Sequence, residues 1–373
     1  MILETIQISQ NATLTAILHG PSEEMQSDSA LRRPAVVICP GGAYEFCSVR
    51  EADAPASAFL NMGLQVFILL YSCGEDAGGK QPLTEAAQSV RLVRERADEW
   101  WIDPQKILIC GFSAGGHLAA SLGVHWDDPA LAERCGVQDA SVLRPDAMVL
   151  GYPVITAGQY AHRNSIVNVS RASGEPEQYW SLEENVSEKT PPTFLWHTMT
   201  DDVVPVENSL LFVQQLHRYG VACECHLFES GRHGMSVATR EVDAASRAVH
   251  AWVGLCQTWL SARFGPLGGD AEEIVSDGPI FSLAREKMGE KRVRGDAGCM
   301  LPLNSGEPRC FRRRSTRRPP HGRLGTRRLI RYIKFVSSCL RISAVNRRCS
   351  LNLSGCTFLR GDFLFFEHQS LPL

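Results

Sequence analysis

The stretch K-I-L-I-C-G-F-S-A-G-G-H, residues 106–117, decides the fold. Residues 107–110 form an unbroken apolar run with two β-branched members, the pattern of a strand buried on both faces. It passes directly into G-x-S-x-G, with Ser113 between Gly111 and Gly115, and then into the helix-favouring run H-L-A-A-S-L. Strand, tight turn and helix in that order are what a nucleophile elbow requires, because the serine must stand on a turn too sharp for side chains at its flanks. With 31 glycines in the chain the bare pattern could arise by chance. The strand before it and the small-residue helix behind it make Ser113 a candidate nucleophile.

Outward from the elbow, strand and helix patterns alternate. Residues 2–19 read as an N-terminal hairpin broken at Gln10-Asn11, and 23–33 as a polar loop. Strands are predicted at 35–39, 65–71, 146–150, 193–196 and 221–228. A helix is expected around 52–62, ended by Gly63. Another opens at Pro82, with Leu83, Ala86, Ala87, Val90, Val93, Ala97 and Trp100 on one face and Asp103-Pro104 closing it. Further helices are predicted at 207–219 and, as one long element, at 239–264. Residues 155–192 keep no period and read as an insertion at the strand ends, a small cap. The alternation predicts an α/β fold: a mainly parallel central sheet with helices on both faces.

From about residue 265 the character of the chain changes. Residues 261–373 hold 21 Lys/Arg against 10 Asp/Glu, leaving 17 against 31 for the first 260 residues. An acidic catalytic domain over 1–264 followed by a basic extension of low order over 265–373 is the expected organisation. The charge would suit a nucleic acid or an anionic surface, but no recognition module accompanies it, so nucleic-acid binding is disfavoured. The 13 cysteines are irregularly spaced, several inside apolar runs, and the N-terminus lacks the charged and apolar regions of a secretory signal. Free thiols and a cytoplasmic location are therefore expected. Cys223 and Cys225 read as core residues, since no second ligand pair stands near them. No apolar run reaches the ~20 residues of a membrane span.

A serine hydroxyl needs a base, and the base needs an orienting acid. Downstream of Ser113, one pair of loops offers both. H-T-M-T-D-D-V-V-P (197–205) follows a predicted strand and carries adjacent Asp201 and Asp202. Neighbouring residues do not both face one site; Asp201 is preferred, and Asp202 serves equally well as a helix cap or turn residue. E-S-G-R-H-G-M (229–235) follows the last strand and places His233 between glycines as the base. His197 precedes the acid and His117 lies one helical turn beyond Ser113, where packing is the simpler role. His125, His162 and His226 have no supporting context. An oxyanion hole is expected from the amides of Ala114, after the nucleophile, and of Gly42 and Ala43 in P-G-G-A-Y after an early strand. Such chemistry needs no cofactor and no metal.

Taken together, P-G-G-A-Y, E-W-W-I-D-P-Q-K-I-L-I-C-G-F-S-A-G-G-H-L-A, D-D-V-V-P-V-E-N-S-L and G-R-H-G resemble the α/β-hydrolase superfamily. More narrowly they are similar to bacterial esterases related to acetyl-xylan esterase, also labelled carboxylesterase or lipase-like. The resemblance covers roughly residues 30–262. It implies Ser113 as nucleophile, His233 as base and Asp201 as acid, since the pattern His-x-x-x-Asp-x-x-Val-Pro aligns on His197, Val204 and Pro205. It also implies a small acyl-ester substrate, such as O-acetyl groups of xylo-oligosaccharides. An amide hydrolase of the same fold, peptidase or formamidase-like, shares these motifs. Pro40, Ala43 and Thr198 depart from the residues many relatives carry. The oligomeric state is not encoded in any of these motifs.

Overall fold

The computed structural model describes residues 1–21 and 32–268. The chain divides into two units, Met1–Lys287 and Met288–Leu373; the second lies outside the described residues, as do most of the expected loop at 23–33 and the expected basic extension from residue 269 on. Eight strands form one sheet: β1 (Ile2–Gln7), β2 (Thr13–Leu18), β3 (Arg33–Cys39), β4 (Gln65–Leu70), β5 (Ile102–Phe112), β6 (Ala147–Gly151), β7 (Thr193–Thr198) and β8 (Cys223–Phe228). Their spatial order is β1-β2-β4-β3-β5-β6-β7-β8. β1 and β2 make the expected antiparallel hairpin, β2 pairs antiparallel with β4, and all pairs from β4 to β8 are parallel. This is the α/β-hydrolase architecture.

The described residues form eight α-helices: α1 (Asp53–Asn61), α2 (Gln81–Glu95), α3 (Ala114–His125), α4 (Pro129–Cys135), α5 (Arg163–Ser170), α6 (Glu207–Arg218), α7 (Arg247–His250) and α8 (Trp252–Phe264). None among the described residues is long and apolar enough to cross a membrane. The central strands bury both faces, so their side chains divide by parity between two cores. Val37 and Ile109 join Leu83, Val90 and Leu118 of α2 and α3. Val36, Ile38, Leu108 and Cys110 join Phe59, Trp252 and Leu260 of α1 and α8. Cys223 and Cys225 are free thiols packed against the first of these cores.

The chain leaves β3 toward β4 and then returns past β3 to β5. The crevice beyond the carboxyl ends of β3 and β5 is therefore a topological switch point, where open α/β sheets place their ligands. Both the segment 40–44 and Ser113 emerge there.

Three helical expectations change. The predicted element at 239–264 begins only at Arg247, because Ser236, Ala238 and Asp243 all take positive φ, near +50°. That backbone is held by tertiary bonds: Trp252 Nε1–H donates to Ser236 O at 2.9 Å, and Ser236 Oγ donates to Arg50 O at 2.6 Å. Ser246 then caps the helix by accepting from Val249 N–H. α2 stops at Glu95 instead of Trp100; Trp101, with φ +55°, turns the chain back so that its carbonyl accepts from Arg33 N–H. α4 was not predicted, although its signals are in the sequence. Asp128 caps it, Pro129 opens it, and Gly136 leaves it at φ +67°.

Residues 155–192 form α5 and two 3₁₀ turns, Glu177–Trp180 and Leu182–Asn185. Ile155, Ile166, Trp180 and Leu182 lie within the main core, so this segment is built into the domain.

Candidate active site

Ser113 stands between β5 and α3 with φ +54° and ψ −122°, a strained conformation for a residue with a side chain. Its backbone is clamped on both sides. Ser113 N–H donates to Gly151 O at 3.1 Å, and its carbonyl accepts from Val154 N–H at 3.0 Å and His117 N–H at 3.1 Å. The flanking glycines are obligatory. A Cβ on Gly111 would overlap Gly115 O, and one on Gly115 would overlap Cys39 O. The elbow thus presses directly on β3 and its own helix.

His233 lies in the loop after β8. Its Nε2 is 2.8 Å from Ser113 Oγ, and its Nδ1 is 2.8 and 3.0 Å from the two oxygens of Asp201. The carboxylate can only accept, so Nδ1 carries the proton and Nε2 offers its lone pair to the serine hydroxyl. Asp201 is fully enclosed, its side chain 1% exposed. Burial alone would raise its pKa, but hydrogen bonds from His197 and His233 and the Val203 amide outweigh that and hold the carboxyl well below the usual range. It is therefore ionised at neutral pH. Asp202 is exposed and takes a different part: its Oδ1 accepts the backbone N–H of His233 at 3.1 Å. The adjacent carboxylates divide the work, one on the imidazole and one on the loop that carries it.

The segment after β3 runs through three positive φ values, Gly42 at +130°, Ala43 at +58° and Tyr44 at +61°. A Cβ on Gly42 would overlap Phe46 O. The Gly42 carbonyl accepts from Glu45 and Phe46, and the Ala43 carbonyl accepts from Asn168 Nδ2 at 3.0 Å. The amides of Gly42, Ala43 and Ala114, by contrast, have no acceptor among the described residues. Gly41 sets this loop against the serine, since a Cβ there would come within 2.9 Å of Ser113 Cβ. Three unpaired donors beside a serine are what a developing oxyanion needs.

The other histidines singled out in the sequence pack or pair away from Ser113 Oγ. Of these, His197 also touches the site: its Nδ1 meets Ser209 Oγ at 2.7 Å, and its Nε2 lies 3.1 Å from Val204 O and 3.4 Å from Asp201 Oδ2. His125 stacks on Tyr179, His162 bonds Ser165 Oγ, and His226 pairs with Glu224. His117 is wholly buried, bridging Tyr44 OH (2.9 Å to Nδ1) and Trp180 O (3.1 Å to Nε2). It bolts the elbow helix to the 40–44 loop and to the 155–192 segment. Burial lowers its pKa to about 4.

The unfolded chain therefore takes up a proton near pH 6.5 that the folded chain resists down to about 4, and stability rises with pH across that window. The His117 contribution is complete above about pH 6.5 and falls by about 3 kcal/mol as the pH drops to 4. Urea midpoints at pH 7 and pH 4.5 check this. The fall should be smaller in His117→Gln, even though that variant starts less stable.

Two residues of the site escaped sequence reasoning. Glu51 is buried, accepting from Gly41 N–H at 2.9 Å and from Tyr152 OH at 2.6 Å. Tyr152 OH in turn accepts from Ser236 N–H at 2.8 Å, and the Tyr152 ring stands edge-on to His233, centroids 5.0 Å apart. Glu51 and Tyr152 thus join the 40–44 loop to the loop that carries His233. Burial raises the Glu51 pKa against the pull of these bonds. Nothing in V-R-E-A-D marks a buried carboxylate. Tyr152 had a usable signal in its place just past a buried strand. Among the described residues no group of three or more His, Cys, Asp or Glu is arranged to hold a metal.

The model of the BD-FAE family matches residues 24–216, just over half of the chain. Over 221 residues the chain is 38% identical to endo-1,4-beta-xylanase B of Butyrivibrio fibrisolvens, covering 57% of this chain and 34% of that protein. Over 214 residues it is 29% identical to an acetylxylan esterase of Xylanibacter ruminicola, covering 55% and 42%. It thus spans well under half the length of these two relatives. Among solved structures, the acetyl ester-xyloside bifunctional hydrolase from Caldicellulosiruptor lactoaceticus aligns with 32% identity and a TM-score of 0.59 over 70% of this chain and 97% of that one. The carboxylesterase Cest-2923 from Lactobacillus plantarum aligns with 27% identity and a TM-score of 0.64 over 72% and 100%.

Proposed function

This chain belongs to the BD-FAE family, and on that premise we propose that it is a serine esterase that removes small acyl groups, acetyl above all, from esterified xylo-oligosaccharides. The observation that carries the reading is the continuous line from Asp201 through His233 to Ser113 Oγ, with contacts of 2.8 Å at each end of the imidazole. His233 Nε2 takes the hydroxyl proton as Ser113 Oγ attacks the ester carbonyl, and Asp201 stabilises the imidazolium that forms. The amides of Gly42, Ala43 and Ala114 receive the oxyanion. Collapse of the tetrahedral species expels the sugar alcohol, protonated by His233. Water, activated by the same base, then releases the acid and restores Ser113.

The acetyl and xylan assignments draw on the names of the acetylxylan esterase, the xylanase and the acetyl ester-xyloside hydrolase, to which this chain is similar. The site offers no feature that favours an amide over an ester. Acetate release from acetylated xylo-oligosaccharides, compared with hydrolysis of aminoacyl amides and N-formyl substrates, tests the proposal. The expected result is acetate release with amide turnover at least about 100-fold slower, since esters carry the better leaving group. Preferential amide cleavage would replace the reading with that of a peptidase or formamidase.

A further inference from the structure

The loops that follow β3 and β4 carry one cysteine each, and neither takes part in the chemistry above. Cys47 Sγ and Cys73 Sγ lie 3.7 Å apart. Both point at the same acceptor, Tyr71 O, at 3.8 and 3.3 Å. Both are half-buried, whereas Cys39, Cys110, Cys135 and Cys256 are enclosed. Cys223 and Cys225 sit two positions apart on β8, which spaces their backbones about 7 Å and keeps them from pairing. The two loops are already tied beside the sulfurs. Gly74 N–H donates to Tyr44 O at 2.7 Å, and Tyr71 OH donates to Pro40 O at 2.6 Å. The thiol pair therefore sits at the base of the segment that holds the unpaired Gly42 and Ala43 amides.

We propose that Cys47 and Cys73 form a dithiol site for low-molecular-weight disulfides, which closes to a Cys47–Cys73 disulfide across the base of the 40–44 loop. Bringing the sulfurs from 3.7 Å to the bonded ~2.05 Å is an approach of about 1.6 Å, within reach of side-chain rotation and a small loop shift. The two thiols are unequal partners. Donation from the Cys73 S–H stabilises a thiolate on Cys47 and makes Cys73 harder to ionise, while the Glu85 carboxylate disfavours both thiolates. At 3.7 Å either sulfur can open the exchange and the other close it. With Cys47 attacking first, its thiolate attacks one sulfur of the small disulfide and expels the other as a thiolate. The Cys73 thiolate then attacks Cys47 Sγ in the mixed disulfide and expels the second small thiolate. Two electrons pass from the protein to the reagent: one protein dithiol and one small disulfide become one protein disulfide and two small thiols.

The effect on turnover rests on the esterase reading; the exchange chemistry does not. In the test, the full chain is incubated with glutathione disulfide, quenched with iodoacetamide and mapped by peptide mass spectrometry. The expected product is a peptide pair joined through Cys47 and Cys73, reversed by dithiothreitol, with the enclosed cysteines still alkylatable after unfolding. In Cys73→Ser the glutathione should remain on Cys47, because nothing resolves the mixed disulfide. Cross-linked protein should hydrolyse 4-nitrophenyl acetate at least about tenfold more slowly, since displacing the loop by about an ångström misplaces its amides. The idea is overturned if both cysteines alkylate normally after treatment, or if glutathione persists on Cys47 in the unmodified sequence while Cys73 alkylates. A complete cross-link with unchanged turnover overturns the link to the loop. Absence of hydrolysis in the reduced protein would instead refute the esterase reading, and the peptide map would still decide the thiol site.

Discussion

Ser113→Ala is expected to lower kcat on 4-nitrophenyl acetate by about 10⁴-fold or more while the protein stays folded. The substitution removes one oxygen whose described bond is the 2.8 Å contact with His233 Nε2. Everything that holds the turn is backbone: the amide to Gly151 O and the carbonyl to Val154 and His117 amides. The Cβ is retained, so the strain at φ +54° is neither relieved nor increased. Thermal unfolding should therefore lie close to that of the parent protein, and circular dichroism should be unchanged. Some acceleration over water should survive, because the Gly42, Ala43 and Ala114 amides remain in place; in serine hydrolases such donors and substrate binding alone supply ~10³-fold. Equal rates in the two proteins would exclude Ser113 as the nucleophile.

Much of this was legible in the residues, and for a physical reason. A buried parallel strand must be apolar on both faces, and a nucleophile elbow must have glycines where Gly111 and Gly115 press on Gly115 O and Cys39 O. Those are local constraints, and they leave local marks. The chain order of Ser113, Asp201 and His233 follows from the strand order, so those residues too could be picked out one loop at a time. What was illegible depends on contacts between distant segments. Residues 239–246 have a helical apolar period, yet Ser236 is drawn into bonds with Arg50, Tyr152 and Trp252, Ala238 O accepts from Ser246 N–H, and the helix waits for Ser246. Glu51 carries no mark in the sequence and is a buried acceptor because Tyr152, 101 positions away, supplies a hydroxyl and Gly41 an amide. His117 looked like packing from its place on α3, and it is packing, but with partners from two other segments that nothing in its own neighbourhood announces.

The arrangement also explains why the site tolerates strain. Positive φ at Ala43, Tyr44, Ser113, Tyr152 and Ser236 would each cost of order 1 kcal/mol or more in isolation. Each is fixed by a partner from another segment: Ala43 by Asn168, Tyr44 by Gly74 and His117, Ser113 by Gly151, Tyr152 by Glu51, and Ser236 by Arg50 and Trp252. The carboxyl edge of the sheet is thus cross-braced around the crevice, and the unpaired amides are left where the bracing ends.

Asp201→Asn should reduce kcat about 10⁴-fold, whereas Asp202→Asn should cost less than about tenfold. The difference follows from which atoms must accept. Asp201 Oδ1 already accepts the Val203 and Val204 amides at 3.0 and 2.9 Å. An asparagine would keep its carbonyl there and turn its NH₂ to His233 Nδ1. A donor facing Nδ1 forces the imidazole proton onto Nε2, which then confronts Ser113 Oγ as a donor and cannot take its proton. The loss is one of tautomer, and the geometry survives. Asp202 Oδ1 only accepts the His233 backbone amide at 3.1 Å on an exposed loop, and an asparagine carbonyl does the same. Asp201 also carries a response to acid. The Asp201 pKa is depressed by folding, so its carboxylate contributes stability that is complete above the ordinary range near pH 4 and is lost as the pH falls below it. Urea unfolding at pH 7 and pH 3 should show a smaller acid-induced loss in Asp201→Asn than in the parent protein. Matching kcat losses in the two variants would mean that either carboxylate can orient the base, and the division of labour between them would fall.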